Sequence, residues 1–136
     1  MKWANSLIRL STHEVETVQK RLAEIVARRW AVEMQIEALD AELAAERAHK
    51  ASYEEVGFYL AGFSEGARIR RLDLMAKLDT IRIEEEGARE AMAEAFENLK
   101  KYEHVAEAAK LAARKEAGRR ETAELDELGL RKKIAR

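Results

Sequence analysis

Residues 8–53 read IRLSTHEVETVQKRLAEIVARRWAVEMQIEALDAELAAERAHKASY. A 3-4 alternation runs through them at Ile8, Ser11, Val15, Val18, Leu22, Ile25, Arg29, Val32, Ile36, Leu39, Leu43, Glu46, Lys50 and Tyr53. Ten of these fourteen positions are apolar or aromatic. A repeat of 3.5 residues keeps one stripe of a helix turned towards a neighbouring helix, and it marks a coiled-coil seam when it persists over several heptads. The stretch therefore predicts one long helix over about residues 7–54.

The alternation stops at Tyr53-Glu-Glu-Val-Gly-Phe-Tyr-Leu-Ala-Gly-Phe-Ser-Glu-Gly66, which holds three of the chain's six glycines. Glycine reaches the positive-φ conformations of a chain reversal, and Ser64 can cap a following helix. This predicts a tip over about residues 55–65. A second alternation runs through Leu74, Leu78, Ile81, Glu85, Ala88, Met92, Ala95, Leu99, Tyr102, Ala106, Ala109 and Ala113. It predicts a return helix over about residues 66–128.

A reversal near residue 60 pairs residues whose numbers add to 120 or 121, among them Leu78 with Leu43, Ile81 with Leu39 and Ala88 with Val32. In that register Met92 meets Arg29 and Glu85 meets Ile36, two polar intrusions into the seam. Helix one ends opposite residue 113 or so, leaving 114–136 as a charged helical overhang with Leu125, Leu128, Leu130 and Ile134 as anchors for a partner. The expected fold is all-α, a single long antiparallel two-helix coiled-coil hairpin with a C-terminal helical overhang.

Composition agrees. The 136 residues contain no Pro, 38% charged residues and only 6% aromatics, a mixture suited to long helices with a narrow seam rather than a broad core. Twenty-five bases against twenty-six acids give a net charge of -1 with the signs interleaved, so no nucleic-acid face is expected. The absence of Cys excludes thiolate metal sites and Cys nucleophiles and suits the cytoplasm. The start, MKWANSLIRLSTHEVE, reads as neither signal peptide nor membrane span, so membrane association is expected only through partners.

Glu46 and His49 have the Glu-x-x-His spacing of di-iron bundles, but His13 and His104 are preceded at i-3 by Leu10 and Lys101, so no second pair completes a site. No phosphate loop, nucleophile elbow or triad is present. No metal, cofactor or enzymatic activity is expected. The informative residues are apolar ones off the seam. Val26, Trp30 and Met34 form an i, i+4 row that either stands exposed as a ridge or folds Trp30 over the second helix near Met92 or Phe96. At the tip, Tyr53 and Tyr59 are the candidate contact residues, beside Phe58 and Phe63.

Length, layout, Ser52-Tyr53 before the tip, Glu97-Asn-Leu-Lys-Lys-Tyr102 and Glu124-Leu-Asp-Glu-Leu128 together resemble the FliJ family, small cytoplasmic components of the bacterial flagellar type III export apparatus. The resemblance implies a stalk inserted in the export ATPase ring by the end carrying both termini. It also implies docking on the membrane export gate near the tip and escort of export chaperones, in support of flagellum assembly, motility and chemotaxis. The implied gate contacts are Tyr53, Tyr59 and Leu72. Arg9, Lys20 and Arg21, with the overhang residues Leu125 and Leu128, are the implied ring contacts. Such a stalk is a monomeric hairpin with at most weak self-association, at the cytoplasmic face of the inner membrane. The competing reading is a generic cytoplasmic coiled-coil scaffold that self-associates through the Val26/Trp30/Met34 ridge.

Overall fold

The computed structural model describes residues 2–50 and 56–134, and all of them are helical. Helix α1 spans Lys2–Lys50 and helix α2 spans Val56–Ile134, so the fold is the expected all-α pairing of two long helices. Helix α1 begins before its expected start at residue 7, while its expected end at 54 lies outside the described residues, and α2 exceeds its expected bounds at both ends. Ala4 is buried, which draws the start of α1 back before residue 7. Most of the segment read as the tip is the beginning of α2, and no described glycine has a positive φ. Gly62 and Gly66 sit in ordinary helical backbone, a placement that costs only about 1 kcal/mol each relative to Ala. Local contacts offset it: Tyr59 stacks on Phe63 with ring centroids 6.5 Å apart, and Arg68 donates to Glu65 at 2.6 Å. Arg68 holds the Glu65 carboxyl below its ordinary range, first through that hydrogen bond and then through its charge. The small stabilisation is thus present above the usual carboxylate range and lost as pH falls through the lowered value.

In a two-helix pair each residue touches only nearby turns of its own helix and of the facing one, so contacts stay local. Accordingly the chain divides into two compact units, Met1–Val15 with Glu94–Arg136, and Glu16–Ala93, where the sequence suggests one. In the second unit Ile25, Ile36, Leu39, Ala67, Leu78, Ile81 and Ala88 are buried, while Leu22, Arg29, Val32, Leu43, Glu46, Leu74, Glu85 and Met92 are half-buried. In the first unit Ala4, Ser11, Val15 and Ala95 are buried, with Ile8, Leu99, Tyr102, Ala106 and Ala109 half-buried. Apart from Ala4 and Ala67, which lie outside the alternation, these are seam positions read from the sequence; Ala113 is exposed, and the side chains of Lys50 and Tyr53 lie outside the described ones.

The register, however, differs from expectation by one heptad. Arg29 Nε donates to Glu85 Oε1 at 3.2 Å, Arg71 Nε donates to Asp40 at 2.9 Å, and Arg82 lies 3.8 Å from Glu33. Ile25, Ile81 and Ala88 form one buried cluster against which Leu22 and Val32 pack. Leu39 and Leu74 line one groove, and in the other unit Ile8 and Ala106 line another. Facing seam residues thus have numbers adding to about 113 or 114. Moving one helix by seven residues returns every seam position to a seam position, so apolar residues discriminate weakly between the two registers. Charge discriminates strongly. The expected register buries Arg29 against Met92 and Glu85 against Ile36; the observed one pairs the two charged residues with each other.

The pair is the centre of a network. Arg29 Nη1 also donates to Glu33 at 3.1 Å, and Glu85 Oε1 accepts from Arg89 at 3.4 Å. The hydrogen bond to Glu33, followed by the charge of Glu85, raises the Arg29 guanidinium above its already high ordinary value. A raised base contributes stability below that value and loses it only as pH rises through it, so Arg29 stays charged at neutral and moderately alkaline pH.

Ser11 is 3% exposed and its hydroxyl has no hydrogen-bond partner. Ser11→Ala removes an unsatisfied buried group and adds a better helix former, and is expected to stabilise the chain by roughly 1 kcal/mol in denaturant titration. A destabilised variant would mean that the hydroxyl is bonded in solution.

Candidate partner-binding surfaces

Seam residues are consumed in holding the helices together, so binding falls to apolar and charged groups that the 3-4 alternation leaves outside. On α1, Trp30 is 63% and Met34 44% exposed, with Val26 half-buried beside them. The ridge is therefore presented outward, and Trp30 does not fold down as a lid on the second helix. Tyr59 is 64% exposed. Tyr53, the other aromatic contact expected at the tip, lies outside the described residues.

Leu72 is exposed on α2 with two neighbours that the sequence reading passes over, Ile69 and Ile83. Ile69 and Leu72 stand three residues apart on one helical face. Their signal was an apolar residue at an outward position, which a search confined to the seam does not register. Arg9, Lys20 and Arg21 are all exposed, but Arg9 belongs to the first unit and the other two to the second, so neither unit gathers the three together.

Every residue of α2 from Leu111 to Ile134 is exposed. Leu125, Leu128, Leu130 and Ile134 lie on this bare segment. It carries local ion pairs along the helix, such as Arg131 to Glu127 at 3.5 Å and Arg120 to Glu116 at 3.7 Å. In the same unit a further apolar row was missed. Trp3 and Leu10 are exposed, Leu7 between them is half-buried, and the three share a face at i, i+4 and i+7. Beginning the helix at residue 7 removes Trp3 from any periodic pattern, which hid the row.

The interhelical depressions are open grooves rather than enclosed pockets. The one at the start of α1, about 440 Å³, is lined by Ala4, Asn5 and Ile8 on one helix and by Ala106, Ala109 and Ala113 with the charged Glu103, Glu107 and Lys110 on the other. Among the described residues no group of three metal-ligating side chains occurs, and Glu46 and His49 stand on α1 as a half-buried and an exposed residue. No described helix is long and apolar enough to cross a membrane.

Two curated relatives, both called Flagellar FliJ protein and both from strains of Caulobacter vibrioides, are each 53% identical to the chain over 131 residues. The match covers 96% of this chain and 94% of theirs. No family model matches the chain, and no solved structure does.

Proposed function

Because this chain belongs to the FliJ family of flagellar export components, we propose that it serves as the coiled-coil stalk of the export ATPase ring, links that ring to the membrane export gate and escorts export chaperones. The observation that supports this most is the bare segment of α2 from Leu111 to Ile134, exposed on every side and carrying five large aliphatic residues. Isolated helix gains little stability of its own in water. A segment of this length and composition is suited to burial inside a partner.

In this reading Leu125 and Leu128, aided by Arg9, Lys20 and Arg21, engage the ring. Tyr53, Tyr59 and Leu72 meet the gate, with Ile69 and Ile83 extending the surface around Leu72. The Val26/Trp30/Met34 ridge remains for chaperones. The protein works in the cytoplasm and reaches the membrane only through these partners.

The test uses the export ATPase from the same bacterium. The full chain is expected to raise its ATP hydrolysis several-fold, and Leu125→Asp with Leu128→Asp should abolish that rise while leaving helix content and thermal midpoint unchanged, because both positions are exposed. An ATPase that neither binds the chain nor responds to it would overturn the stalk reading. A response that survives the double substitution would remove the bare segment from it.

A further inference from the structure

We infer that the helix pair of the unit Glu16–Ala93 has a second register one heptad on, and that entering it unwinds the first two turns of α2, so that register and the start of α2 switch together. The seam fits both registers. A heptad on, Leu39 faces Ile81 instead of Leu74, and Val32 faces Ala88 instead of Ile81. The flanking charges fit both as well. Glu33 now lies 3.8 Å from Arg82, and Asp40 accepts from Arg71 at 2.9 Å; after the step Glu33 stands opposite Arg89 and Asp40 opposite Arg82. Glu42 shares a groove with both Arg70 and Lys77, and the step exchanges the first for the second. In the other unit the α2 alternation runs on to Ala113, which is exposed yet lines one groove with Ile8. The same step sets Ile8 against it.

Three features oppose the step. They are the layer of Arg29 with Glu85, the ion pair of Arg28 with Glu84, and Arg71, which Asp40 would leave beside Arg47. Together they latch the observed register.

Chain length couples the step to the start of α2. Leu43 and Arg47 share a groove with Ser64, Ala67 and Arg71, so Lys50 is level with about residue 63. Val56, where α2 begins, therefore lies about 10 Å beyond Lys50 along the axis at 1.5 Å per residue. One heptad on, an intact α2 would put it about 21 Å beyond, besides the roughly 9 Å between helix axes. The diagonal is then about 23 Å, and six fully extended steps from residue 50 to 56 reach at most about 22 Å. Unwinding residues 56–62 restores the observed offset.

Gly62 lies in the segment that unwinds. A Cβ there meets nothing within 4 Å and its φ is not positive, so neither close packing nor a turn accounts for a glycine in the observed register. It lowers the cost of leaving the helix. Tyr59 opposes that by stacking on Phe63 with ring centroids 6.5 Å apart, an i, i+4 contact made while the segment is helical. A partner that grips Tyr59 on intact helix holds the observed register, and one that takes residues 56–62 as extended chain draws the pair into the second.

The test uses the full chain carrying Arg29→Leu and Glu85→Leu, which remove the charged layer. Leu39→Cys with Ile81→Cys captures the second register, and Leu39→Cys with Leu74→Cys captures the first. In glutathione buffer the ratio of the two pairs' effective concentrations reads the register equilibrium. Gly62→Ala should shift that ratio about five-fold towards the first register, following the helix preference of Ala over Gly. Gly66→Ala, at a position helical in both registers, should shift it far less. Hydrogen exchange then compares the two oxidised chains. Amides 60–66 are bonded when α2 starts at residue 56 and lose their partners when it starts at 63, so they should exchange at least roughly ten-fold faster in the chain locked at 39 and 81. Failure of the thiols at 39 and 81 to pair, equal effects of the two glycine substitutions, or equal protection of amides 60–66 in both locked chains would each overturn the proposal.

Discussion

Leu78→Ala is expected to lower the unfolding free energy by roughly 3 kcal/mol, read as a fall in the urea midpoint at unchanged slope. Leu78 is 3% exposed and is among the most deeply buried large side chains on the described part of α2. A seam between two helices is one or two side chains wide, so a deleted Leu leaves a gap that few neighbours can close. Leu72→Ala, on the same helix but 57% exposed, serves as the control and should change stability by less than about 0.5 kcal/mol. Equal effects at the two sites would contradict the assignment of Leu78 to the seam and Leu72 to the outer surface.

Arg29 and Glu85 carry the second large effect. Arg29→Leu alone leaves Glu85, whose side chain is 13% exposed, without its cross-helix base, although Arg89 still reaches it at 3.4 Å. Glu85→Leu alone leaves Arg29 without its cross-helix acid. Each single change should lower the thermal midpoint by several degrees. Arg29→Glu, which adds a carboxylate beside Glu33 and Glu85, should lower it further. The double change Arg29→Leu with Glu85→Leu is expected to recover most or all of the loss, since two leucines suit a seam layer and no unpaired charge remains. What it should not recover is a single register. With no charged layer to align, the two pairings one heptad apart become close in free energy, as in coiled coils whose register a lone polar residue fixes. Additive losses in the double variant would mean that the two side chains do not act as a pair.

The sequence makes the seam legible because the 3.5-residue period belongs to each helix separately and needs no knowledge of the other. Register is a relation between two helices, and the period is blind to it: Leu39 opposite Ile81 and Leu39 opposite Leu74 are equally apolar pairings. Arg29 and Glu85 held the missing information. Each looked like an intrusion when read against an apolar neighbour, whereas treating two charged seam residues as partners for one another would have fixed the alignment. The tip went astray for a related reason. Gly57, Gly62 and Gly66 permit a reversal without requiring one, and helical backbone accommodates the described glycines at modest cost.

The binding surfaces were legible in proportion to their distance from the seam's own logic. The Trp30 ridge is a recognisable i, i+4 row, and the bare end of α2 follows from the exhaustion of α1; both stand exposed. The Trp3, Leu7 and Leu10 row depended on carrying the helix back before residue 7, where Ala4 is buried although the 3-4 alternation was read only from Ile8.

Register decides which residues face one another, and engineered disulfides measure it directly. The chain has no Cys of its own. Leu39→Cys combined with Leu74→Cys places two thiols on facing seam positions, whereas Leu39→Cys combined with Ile81→Cys separates them by one heptad, about 10 Å along the axis, beyond the reach of a disulfide. Under mild oxidation the first pair should close rapidly and almost completely, and the second should not close unless Arg29 and Glu85 are also replaced by Leu. Efficient closure of the second pair in the otherwise native chain, with the first remaining open, would contradict the register and the pairing of Arg29 with Glu85 that fixes it.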